Sequence, residues 1–240
     1  MKTILTLLFS FLSLLSFGQS QDSIRFSKNS TSSGFYRNDT GTYLPKFVFV
    51  DESGNKKTLA DFKGKILYIN IWATWCGNCI TRFPYEEQLL KRLGHLKLDT
   101  SVVLININID DRKNQWKQAL KKYRPQGINL YSSDTSLYEK WNISALPAYS
   151  LIDRSGKVLG MKIYMPDEAV SIDWVLYNAV KGVSPPDAIR IQQEQNKLIE
   201  QQHSPAAITH KEYADWYAST MPLYLEFRKW RVERKSGKGH

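Results

Sequence analysis

Cys76 and Cys79 are the only cysteines in the 240-residue chain. They stand in Trp72-Ala73-Thr74-Trp75-Cys76-Gly77-Asn78-Cys79, directly after the apolar run Ile66 to Ile71. That run has the density of a buried strand, and the segment after it has helical spacing, so the pair sits where a strand hands over to a helix. Unpaired N–H groups at a helix start favour a thiolate over a thiol, which makes Cys76 the attacking sulfur. Cys79 lies one helical turn on, facing the same side and within bonding reach, so it resolves what Cys76 attacks. Two other uses of such a pair are half of a zinc site and two buried apolar side chains. Zinc requires two further ligands, and His95, His203, His210 and His240 offer no pair at ligand spacing, although His203 and His210 are seven apart. A redox dithiol is the preferred chemistry, with no metal and no cofactor expected.

The elements that must position this pair can be traced along the chain. Short apolar strands are expected at Phe47 to Val50, Ile66 to Ile71, Val102 to Ile109 and Asn129 to Tyr131. Helices are expected over Gly77 to Leu93, Lys113 to Tyr123, Ser136 to Trp141 and Asp167 to Val180. Pro147 to Ile152 and Val158 to Tyr164 flank Asp153-Arg154-Ser155-Gly156 and read as a hairpin. This order predicts an α/β domain built on a mixed sheet over residues 43–182, closed by Pro185 and Pro186. A helical C-terminal extension over residues 183–240 follows. Asp187 to Gln202 reads there as a largely exposed helix, and Ala206 to Trp230 as two helices broken at Pro222. Six basic residues between Arg228 and Lys238 stand against Glu233 alone.

Lys and Arg total 33 against 23 Asp and Glu, a formal charge of +10 spread along the chain. So diffuse an excess does not indicate nucleic-acid binding. Two cysteines also exclude a disulfide-stapled scaffold and a four-cysteine zinc site. Residues 1–18, with Lys2 followed by the apolar run Ile4 to Phe17, read as a signal peptide. That run is shorter than the roughly 20 residues of a membrane span. Residues 19–42, rich in Ser, Asn, Thr and Asp, read as a flexible arm. The mature chain is therefore expected to be exported and soluble, in a periplasm or cell envelope where disulfides persist. The aromatic and basic stripe of the C-terminal extension is read as packing back on its own domain in preference to docking at a membrane.

The cysteine segment resembles the thioredoxin superfamily, and more closely the exported TlpA/ResA-like thiol-disulfide oxidoreductases. Trp75-Cys76-Gly77-Asn78-Cys79, Pro84, Ala145-Leu146-Pro147, the stretch Ala148 to Lys157 and the approach Leu59 to Lys65 carry the resemblance. It implies a thioredoxin-like three-layer domain with a central mixed sheet. It also implies a cis Leu146-Pro147 bond packed over the cysteines, Leu146 backbone free to pair with a substrate strand, and Trp75 as an apolar docking surface. Gly77 and Asn78 would tune the redox poise. Asn70 occupies a position where cytosolic thioredoxins often hold a buried acid, which removes that proton acceptor. Asp110 or Asp111 falls near the family's other option, with surface acids before a helix as the equally weighted alternative.

The function implied is a cell-envelope thiol-disulfide oxidoreductase that reduces disulfides in exported client proteins and is reset by an upstream dithiol donor. The rivals are a disulfide oxidase or isomerase, and a non-catalytic client-binding or assembly module that uses the same groove.

Overall fold

The computed structural model describes residues 40–236. The expected signal peptide and most of the expected arm lie outside the described residues. Seven strands form one mixed sheet: β1 (Phe49–Asp51), β2 (Lys56–Lys57), β3 (Ile66–Trp72), β4 (Val102–Asn108), β5 (Ile128–Tyr131), β6 (Ala148–Ile152) and β7 (Val158–Met161), in the order β2-β1-β5-β4-β3-β6-β7. All seven residues of β3 are buried. The strand pairs parallel with β4 and antiparallel with β6, and its unbroken apolar character matches cover on both faces. Leu67, Ile69 and Ile71 face a core containing Trp116 and Leu137, whereas Ile66 and Tyr68 face a core containing Leu89, Leu93 and Trp174.

The helices are α1 (Gly77–Ile80), α2 (Phe83–His95), α3 (Lys113–Tyr123), α4 (Ser136–Lys140), α5 (Ala169–Val180), α6 (Pro185–Gln202) and α7 (Lys211–Lys235). α3 and α4 contribute to the first core, and α2, α5, α6 and α7 to the second. The result is a helix–sheet–helix sandwich with additional C-terminal helices, of the α/β class expected.

Strand β2 is not among the expected strands, and three helical elements differ from the sequence reading, each at a proline. The single helix expected over Gly77 to Leu93 is two, because Pro84 in the first turn of α2 has no N–H to continue the ladder from α1. Pro185 and Pro186 do not close the domain; they open α6 behind the N-cap Ser184, whose hydroxyl accepts from Asp187 N–H at 3.3 Å. The break expected at Pro222 is absent, since α7 runs through it for 25 residues. Tyr213, Trp216, Tyr224 and Phe227, on both sides of the proline, are buried, so packing holds the two halves in line. Pro222 and Ala218 are exposed, so solvent can satisfy the carbonyl that the proline leaves unbonded.

α7 is bolted to the sheet domain by buried polar contacts. Arg92 Nε of α2 donates to Asp173 Oδ2 of α5 at 2.6 Å, and Tyr224 Oη of α7 donates to the same oxygen at 3.2 Å. The Arg92 guanidinium also lies 4.5 Å over the Phe227 ring. At the sheet margins, β2 is two lysines long. β7 is met by the incoming chain: Gly41 N–H donates to Val158 O and Val158 N–H to Thr42 O, both at 2.8 Å.

Candidate active site

Cys76 and Cys79 form a disulfide with their Cα atoms 5.3 Å apart. Cys76 is the N-cap of α1, and its sulfur accepts the Cys79 N–H at 3.2 Å. With α1 only four residues long, the polarity at Cys76 comes from the N–H groups of one turn and not from the long helix expected. An N–H aimed at sulfur stabilises a thiolate better than a thiol, so this geometry favours Cys76 as nucleophile once the bond is open. Exposure separates the pair in the same sense: Cys76 is 7% exposed and Cys79 0%, beside Trp75 at 69%. Gly77 and Asn78 are exposed on the motif's outer side, and a Cβ at Gly77 would meet nothing within 4 Å.

β6 brings the second half of the site. Its Ala148 pairs with Ile71, which places the Leu146–Pro147 segment at the strand end that leads into the cysteine loop. The Leu146–Pro147 bond is cis, and Leu146 packs against the core that holds both cysteines.

Asp110 and Asp111 fare differently. Asp110 is buried at the end of β4. Its Oδ1 accepts from Thr74 N–H and Thr74 Oγ1, each at 3.0 Å, and its Oδ2 from Asn108 Nδ2 at 3.0 Å. These bonds tie Asp110 to the loop before Cys76. Asp111 is exposed and lines a surface groove with Lys113 and Tyr131.

A carboxyl does reach the place where Asn70 stands. Glu86 of α2 is fully buried, and its Oε1 accepts from Asn70 Nδ2 and Tyr149 Oη, both at 2.8 Å. Glu86 Oε2 and Asn70 Oδ1 are buried without hydrogen-bond partners. Burial pushes the Glu86 carboxyl up to about 7, against the pull of its hydrogen bonds from Tyr149, Asn106 and Asn70.

Residues 39–171 match the Redoxin family model. The chain belongs to the Redoxin family. Within it, the chain is 32% identical over 122 residues to the thiol-disulfide oxidoreductase ResA of Bacillus subtilis, covering 50% of this chain and 64% of that protein. The match therefore spans less than two thirds of that relative. The ResA of Bacillus thuringiensis is 30% identical over 121 residues, covering 50% of this chain and 68% of its own length. A Chlorobium tepidum structure described as a candidate thiol:disulfide interchange protein DsbE superposes with a TM-score of 0.52 at 22% identity, covering 59% of this chain and 98% of that one. That likeness shows a shared thioredoxin-like fold.

In this Redoxin domain the sequence reading overlooked Glu86 and Thr74. Glu86 had a faint signal: with Phe83, Leu89 and Leu93 it falls on the apolar face of its helix, where an acid must find buried partners. Thr74 had none, because its acceptor lies thirty-six residues away.

Proposed function

We propose that this chain is a thiol-disulfide oxidoreductase of the cell envelope that reduces disulfides in exported client proteins. The observation that carries the proposal is the unequal Cys76–Cys79 disulfide, in which Cys76 is the less deeply buried residue and caps a helix while Cys79 is wholly buried. The names of the ResA relatives support the same chemistry, and the apolar run Ile4 to Phe17 supports export.

In the reducing direction the Cys76 thiolate attacks one sulfur of a client disulfide. A Cys76–client disulfide forms and the client's other sulfur leaves as a thiolate. Cys79, as thiolate, then attacks the Cys76 sulfur, forming the Cys76–Cys79 bond and expelling the second client thiolate. The client gains two electrons, which the protein recovers from an upstream dithiol. Trp75, Leu146 and Pro147 form the docking surface, and Gly77 and Asn78, with no cation between the sulfurs, favour a reducing poise.

Insulin reduction by the dithiol form tests the proposal. Turnover should vanish in Cys76→Ser, while Cys79→Ser should accumulate a mixed disulfide through Cys76. A wild-type protein that oxidises reduced model proteins but leaves insulin intact would be an oxidase, and one that does neither would be a client holder.

A further inference from the structure

Asp110 and Asn108 form a closed bracket at the end of β4. Asp110 N–H donates to Asn108 Oδ1 at 3.1 Å, and Asn108 Nδ2 donates back to Asp110 Oδ2 at 3.0 Å. The bracket is anchored on both sides: Ile109 N–H donates to Trp72 O at 3.0 Å, and Ser132 N–H to Asn108 O at 2.9 Å. Both side chains are buried. The remaining capacity of Asp110 is taken by one residue of the cysteine loop, Thr74, which gives it its N–H and its hydroxyl.

Within the loop, Ala73 and Cys76 are buried in the first core, whereas Trp75 is exposed. Cys76 N–H donates to Ala73 O at 3.0 Å, closing a turn, and α1 behind it is a single turn cut off by Pro84. A one-turn helix makes few internal bonds. The bonds that Asp110 takes from Thr74 therefore add to those within the motif in setting the direction of Trp75 and Cys76.

We propose that Asp110, through Thr74, is a positioning residue for the dithiol, holding the Ala73–Cys76 turn so that the Cys76 sulfur stays on the Cys79 N–H and Trp75 stays turned outward after the disulfide opens. The proposal rests on the oxidoreductase reading only for its biological use, because the placement of a reduced sulfur can be measured without any client.

The test is the rate at which iodoacetamide alkylates Cys76 in the folded, reduced protein near pH 7, resolved from Cys79 by mass mapping. Thr74→Val keeps the shape and charge of the loop and deletes one donor to Asp110. It should slow Cys76 alkylation about fivefold, the equivalent of one hydrogen bond of about 1 kcal/mol, and Thr74→Ser should restore the wild-type rate. Asp110→Asn, which cannot serve Thr74 and Asn108 together, should slow it at least as much. If Thr74→Val and Asp110→Asn lower the melting temperature while Cys76 in the folded protein reacts at the wild-type rate, the role is structural only and the proposal is overturned. Should Asp110→Asn fail to fold, the Thr74 pair still decides. Failure of wild type to reduce insulin would remove the proposed function but leave this result standing.

Discussion

Asp110 and Asp173 are both buried acids that tie a distant segment to the sheet domain, yet they bind partners of different kinds. Asp110 accepts from a backbone N–H, a hydroxyl and an amide, all neutral. Asp173 accepts from the Arg92 guanidinium and from Tyr224, with both members of the ion pair almost wholly buried. Losing an acceptor for neutral donors loosens a loop. Losing the partner of a buried cation leaves a charge in a low-dielectric interior, and Arg92 Nη1 already lacks a partner there. Truncating the acid under the C-terminal helices should thus cost more stability than truncating the one behind the cysteine loop.

The sharpest way to break that contrast is Asp173→Ala. It should lower unfolding stability by about 3–5 kcal/mol in a denaturant titration, while Cys76 alkylation in the remaining folded protein stays unchanged. A loss below about 1 kcal/mol, the range of an exposed pair, would mean that Arg92 finds water and that the two acids are alike.

Glu86 sharpens the comparison as a third buried acid, one with no cation. Its unfolded carboxyl titrates near 4.5 and its folded carboxyl at about 7. Between those values the folded state keeps a proton that the unfolded state has released, so stability falls as pH rises through this window. The loss approaches about 3 kcal/mol above pH 7. Glu86→Gln stays neutral, can still accept from Asn70 and Tyr149, and should be flatter between pH 5 and 8 (roughly the window set by those two values). Melting curves across that range would check it, and a slope equal to wild type would place the titration elsewhere.

The smallest expected effect is in α7. Pro222→Ala restores an N–H to the exposed Ala218 carbonyl and removes a ring from the helix interior, partly offset by a freer unfolded chain. A net gain of about 1 kcal/mol in thermal stability is expected. A loss would show that the docked helix requires the proline's bend.

What could be read from the sequence divides along similar lines. The strand Ile66 to Ile71, the dithiol after it and the hairpin around Asp153-Arg154-Ser155-Gly156 were legible because each is specified by neighbours in the chain. Asp110 was visible as an acid near the right strand end, but its role was not, since that depends on Thr74 lying beside it across the parallel β3–β4 pair. Glu86 differs from its neighbour Glu87 in the sequence only by falling on the apolar face of its helix, and what it does there depends on Asn70 and Tyr149, sixteen and sixty-three residues away. Pro222 was misjudged because a local rule about proline was applied where a row of buried aromatic residues decides the matter.

The margins of the sheet bear on how molecules of this protein behave toward one another. An open strand edge is a template on which a second chain can zip, the first step toward fibrils and swapped dimers. Here β2 presents only Lys56 and Lys57, short and charged, and β7 is four residues long with its first residue, Val158, bonded to Gly41 and Thr42 of the same chain. With both flanks this short, the sheet can be concentrated in a crowded compartment without offering a long unpaired strand for self-propagating assembly.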